Sequence, residues 1–225
     1  MRGLAGMGGL LLAAFYGLWV YPFWGWPFRQ TADQRPPLTP AWALEGWLWE
    51  DDANTAAAVG ELLAGYREHD LPVRTVLLDS PWSTRYNDFV VDTNRYPDPA
   101  QFFGDLEREG YRVVLWMTPM INSRSKDTAL RASPEFHAEA KARGFLAGDG
   151  RQIRWWKGTG AFLDYTHPEA VAWWHGLQEP LFAWGIDGWK LDGADTLFSG
   201  PGWLPYQRTH AGWISTRTYM DLYNR

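Results

Sequence analysis

The sequence predicts an α/β fold built from parallel βα units, organised as a (β/α)8 TIM barrel of which the first half is present. Three observations predict it. Val73 to Leu78 and Val113 to Met117 are almost continuous apolar runs, the pattern of strands buried on both faces. Amphipathic helical segments separate the strand candidates at spacings of about 30 residues or more, as parallel βα units require. The strand candidates end in chemically active side chains, Asp79, Trp116 and Asp192, and barrel enzymes place their sites at the C-terminal strand ends.

The elements follow in order. Residues 1–28 stand apart: Leu4 to Val20 is uncharged and mostly apolar, and Tyr21 to Phe28 is crowded with aromatic residues and prolines. One reading is a signal peptide with Leu10 to Leu18 as its apolar region. The other, favoured here, is an uncleaved membrane anchor over residues 4–28, with Trp19, Tyr21, Trp24 and Trp26 at the interface. Either reading makes the protein exported or membrane-anchored; without them it is cytoplasmic. Residues 29–41 are polar and proline-rich and read as a linker. The partial catalytic domain then occupies residues 42–225.

Within that domain Ala43 to Trp49 reads as a strand. Asn54 reads as the N-cap of a helix that carries Val59, Leu62, Leu63 and Tyr66 on one face. Pro72 breaks this helix ahead of the Val73 strand. Pro97-Asp98-Pro99 opens the next helix, which closes at Gly110. Ser133 to Arg143 reads as a helix, Phe145 to Gly160 as a hairpin excursion, and Ala161 to Tyr165 as a short strand. Glu169 to Trp184 is a helix with Val171, Trp174, Leu177 and Leu181 on one side. Ala211 to Arg225 reads as a final helix. No G-x-G-x-x-G follows the first strand, so a dinucleotide fold lacks its fingerprint.

Composition narrows the function. The net charge of −5 and the absence of a basic run exclude a nucleic-acid partner held through phosphates. With no cysteine, disulfides and thiolate metal sites are excluded. The five histidines show no zinc spacing. Part of the unusual count of sixteen tryptophans reads as core packing, and indoles also stack well on the apolar faces of sugar rings, which favours a carbohydrate ligand. The chemical centre is Gly185 to Asp195. Read as a strand, it turns Lys190 and Asp192 to one side and Trp189 and Leu191 to the other. A lysine beside a carboxylate favours its ionised form, which suits a nucleophile or base, or a plain structural ion pair.

Four segments decide between these. Leu78-Asp79-Ser80-Pro81-Trp82, followed by Tyr86 to Phe89 and Arg95 to Pro99, resembles glycoside hydrolase family 31. So do Gly110 to Asn122, Phe162 to Pro168, and Asp187-Gly188-Trp189-Lys190-Leu191-Asp192, all in the family's order. The resemblance implies retaining hydrolysis of α-glycosides, with Asp192 as nucleophile. It implies that Asp79 grips sugar hydroxyls and that Trp116 forms a wall of the same subsite. Lys190 would bind substrate, and Trp49 would be a second wall. It implies neither a metal nor an organic cofactor. Asp195 stands where the family usually has glutamate, and Asp164 and His167 read as turn residues.

Retention needs a second carboxyl group, about 5–5.5 Å from the nucleophile. In the family it lies well downstream, so the expectation is a chain lacking its acid/base residue and inactive alone. Alternatives are an α-galactosidase-like hydrolase, a non-catalytic carbohydrate-binding remnant, and a membrane-anchored structural module.

Overall fold

The computed structural model describes residues 2–24, 38–132, 134–193 and 205–224. Their centre is a four-stranded, all-parallel sheet in the order β1-β2-β3-β7. Here β1 is Gly46–Glu50, β2 Val73–Leu78, β3 Arg112–Met117 and β7 Gly188–Leu191. The sheet is open among the described residues, as half of a barrel would be. Helices α3 (Ala56–Glu68) and α4 (Pro99–Arg108) make the first two crossovers. The third contains α5 (Pro134–Ala142), α6 (Pro168–Phe182) and an antiparallel sheet of β4 (Met120–Ser125), β5 (Ile153–Trp155) and β6 (Gly158–Phe162).

The apolar strand runs become the core. Val76, Leu78, Val113 and Leu115 are buried, packed with Val59 and Leu63 from α3 and Phe103 and Leu106 from α4. Much of the tryptophan excess goes the same way: Trp82, Trp116, Trp155 and Trp174 are all buried.

Several expectations are corrected. The first strand starts at Gly46, because residues 41–44 form a 3-10 turn. The cap of α3 is Thr55, whose hydroxyl accepts the Ala58 N–H; Asn54 is buried and spends its amide on the carbonyls of Asp51 and Asp79. The expected strand at 161–165 ends at Phe162 and is antiparallel, paired with β4 and β5. The terminal helix is preceded by a hairpin of β8 (Tyr206–Thr209) and β9 (Gly212–Ser215), so α7 spans only Thr216–Tyr223.

The expected membrane anchor is not supported. Residues 2–24 form α1 (Arg2–Phe15), a π-helical segment (Tyr16–Val20) and α2 (Tyr21–Trp24). Among the described residues no helix is long and apolar enough to cross a membrane. The Gly17 carbonyl instead accepts a hydrogen bond from the Tyr206 hydroxyl at 2.6 Å. Trp26, Asp195 and residues 29–37 of the expected linker lie outside the described residues.

Candidate active site

Parallel register brings the strand ends to one edge. Glu50 pairs with Leu78, Leu78 with Leu115, and Trp116 with Lys190. The ladder continues one residue past the strands: the Asp79 N–H donates to the Glu50 carbonyl and the Asp192 N–H to the Met117 carbonyl, both at 2.9 Å. Asp79 and Asp192 are therefore delivered by regular backbone hydrogen bonding.

All five residues singled out from the sequence line one cleft of about 290 Å³: Trp49, Asp79, Trp116, Lys190 and Asp192. Lys190 and Asp192 do share a side of β7. The Lys190 Nζ donates to Asp79 Oδ2 at 2.6 Å and stands 3.5 Å from Asp192 Oδ2, so one ammonium bridges two carboxylates. Burial by itself would lower the lysine pKa; the Asp79 hydrogen bond and charge, then Asp192, outweigh it and raise it.

The two carboxylates differ in exposure. Asp79 has a side chain only 6% exposed, and its oxygens already accept from the Ser80 N–H, the Trp49 indole and Lys190. Asp192 has a side chain 35% exposed. Its Oδ1 accepts the Gly193 N–H at 2.7 Å and its Oδ2 the Trp116 indole N–H at 2.8 Å. A carboxylate oriented at both oxygens yet open to the cleft is suited to attack; a buried, saturated one is suited to orientation.

The tryptophans divide in the same way. Trp116 is buried, its ring parallel to that of Trp155 at 6.3 Å, and it reaches the cleft through its N–H. Trp49 is exposed, with the Lys190 ammonium 5.3 Å from its ring centre. Five further residues that were not singled out as site residues line the cleft: Asp51, Asp52, Ser80, Trp156 and Lys157. Asp51 has its pKa raised, by burial first and then by Asp79 and Asp52. Trp156 and Lys157 are the two residues between β5 and β6, a hairpin turn where asparagine and glycine are the usual choices. That mismatch was the available signal. Asp164, read as a turn residue, is one: its Oδ1 accepts the Thr166 N–H and hydroxyl. No group of three or more metal-ligating side chains occurs among the described residues.

The chain is similar to known proteins. The family model described as "Glycosyl hydrolases family 31 TIM-barrel domain" matches residues 36–224. The chain is 26% identical over 199 residues to a myogenesis-regulating glycosidase of Mus musculus, covering 87% of this chain and 26% of that protein. It is 28% identical over 170 residues to an alpha-xylosidase of Emericella nidulans, covering 72% and 21%. The chain thus spans about a quarter or less of the length of these curated relatives. A Flavobacterium johnsoniae family 31 dextranase solved with glucose superposes with a TM-score of 0.71 at 23% identity, covering 81% of this chain and 23% of that one. The chain belongs to glycoside hydrolase family 31, and residues 36–224 are part of that family's TIM-barrel domain.

Proposed function

We propose that this chain carries the nucleophile and part of the sugar subsite of a retaining α-glycosidase. The observation that carries the reading is the presentation of Asp192, accessible in the cleft and held by Gly193, Trp116 and Lys190. In the reaction an Asp192 oxygen bonds to the anomeric carbon as the glycosidic C–O bond breaks, and water later cleaves the ester. Asp79 and Lys190 orient the sugar hydroxyls, and Trp49 and Trp156 offer apolar faces. The acid that protonates the leaving oxygen is assigned to no residue of this chain. Relatives named alpha-xylosidase and alpha-glucosidase support an α-xyloside or α-glucoside as substrate.

The test uses a leaving group that needs no acid. A 5-fluoro-α-glycosyl fluoride should esterify the nucleophile: the carboxylate oxygen–C1 bond forms, the C1–F bond breaks, and fluoride leaves with the electron pair. Glucosyl and xylosyl reagents are each incubated with the full chain, followed by peptide mapping. The expected result is one adduct on Asp192, absent from Asp192→Ala. An adduct on another carboxylate, or none with either sugar, would overturn the assignment.

A further inference from the structure

The Asp192–Gly193 peptide is gripped from both sides. Its N–H, that of Gly193, donates to Asp192 Oδ1 at 2.7 Å. Its carbonyl, that of Asp192, accepts the Tyr223 hydroxyl at 2.9 Å. A peptide unit is planar, so fixing its oxygen fixes the direction of its N–H. The same phenol lies 3.1 Å from the Met117 carbonyl, which also accepts the Asp192 N–H. Tyr223 therefore ties together the ends of β3 and β7 at the residue read as the nucleophile.

We propose that Tyr223 is a positioning residue for Asp192, aiming the Gly193 N–H at the carboxylate through one rigid peptide plane. The proposal rests on the reading of Asp192 as nucleophile. Its construction is visible in α7. Ser215 caps the helix by accepting the Thr218 N–H, and Tyr219 and Tyr223, four residues apart, face the same way. Tyr219, one turn before Tyr223, donates to the Leu163 carbonyl at 2.7 Å and packs on Phe162, away from Asp192. Both phenols are buried. Burial holds the Tyr223 hydroxyl far above its ordinary pKa, so it stays a donor at any working pH.

The test compares Tyr223→Phe with Tyr219→Phe in the full chain. Both remove one buried hydroxyl from α7, but only the first touches Asp192. With the 5-fluoroglycosyl fluoride, Tyr223→Phe should label Asp192 about tenfold more slowly at saturating reagent, since small misplacement of a reacting group has effects of that order. The half-saturating concentration should stay within about twofold, and Tyr219→Phe should label at the wild-type rate. Independently of any chemistry, the Gly193 amide should exchange with solvent faster in Tyr223→Phe alone. Equal effects in both variants, a loss confined to half-saturation, or unchanged Gly193 exchange would overturn the positioning role. Wild-type labelling at another residue, together with faster Gly193 exchange in Tyr223→Phe alone, would instead overturn the nucleophile reading and keep the peptide clamp.

Discussion

Lys190 and Asp79 are 111 residues apart in the chain, yet the ammonium lies 2.6 Å from the carboxylate and uses its remaining reach on Asp192. Removing the cation leaves two like charges at one strand edge, one of them buried. Lys190→Met should therefore label at least about tenfold more slowly and unfold about 1–3 kcal/mol more easily at pH 7. The pH dependence has a definite sign. The lysine pKa is raised above its ordinary 10.5, so its stabilisation is complete below about pH 10 and is lost as pH rises through the folded value. Urea unfolding at pH 8 and pH 11 should show the gap between wild type and variant narrowing at the higher pH. A constant gap would argue against the ion pair as its source.

Gly193 is the second constraint on Asp192. Its φ of +77° is left-handed, and a Cβ there would stand 2.5 Å from Thr118 Cγ2. Gly193→Ala should cost about 1 kcal/mol or more of stability from backbone conformation alone. The clash should also turn the Gly193 N–H away from Asp192 Oδ1 and suppress labelling by more than about tenfold. Thermal unfolding beside labelling kinetics checks both parts. Wild-type labelling in a destabilised Gly193→Ala would show that the N–H contact is dispensable.

Asp88 predicts a pH effect outside the cleft. Burial pushes its pKa up to about 6, against hydrogen bonds from Thr84 and Val90 and the charge of Arg85. The folded state then holds a proton that the unfolded chain releases near 3.8, so this group's contribution to stability falls as pH rises from about 4 to about 6. Asp88→Asn should flatten that slope in denaturant titrations. An unchanged slope would assign it to other groups.

How much of this was legible depended on where each signal lay. Strands β2 and β3 were visible because a strand buried on both faces must be apolar throughout, and their last residues pointed to the site. The side-sharing of Lys190 and Asp192 followed from strand periodicity alone. Strand β4 was invisible because it reads Met-Ile-Asn-Ser-Arg-Ser, and its polarity is resolved only across space: Asn122 accepts the Trp155 indole N–H and donates to the Lys157 carbonyl. Thr55 lost the capping assignment to Asn54 because the demand on Asn54 comes from Asp79, 25 residues away. The β8–β9 hairpin lacked the alternation of a half-buried pair: Trp213 in β9 faces solvent. Tyr223 could not be found from sequence, since its acceptors lie 31 and 106 residues upstream.

Trp155 and Trp156 separate the two uses of tryptophan. Trp155 is buried, stacked on Trp116 and bonded to Asn122, while Trp156 is 44% exposed, supported edge-on by Trp155 at 5.1 Å. Trp155→Ala should open a core cavity and cost about 3–5 kcal/mol of stability. Trp156→Ala removes little packing, so its melting temperature should stay close to wild type. Its loss should fall on binding instead: an indole face against a sugar contributes about 1 kcal/mol, so half-saturation should rise about five- to tenfold. The rate at saturation should hold, because no hydrogen bond to Asp192 involves Trp156 among the described residues. Labelling kinetics with the better of the two reagents reads this directly. A fall in the saturated rate with unchanged half-saturation would make Trp156 part of the support for Asp192 rather than a face for the sugar.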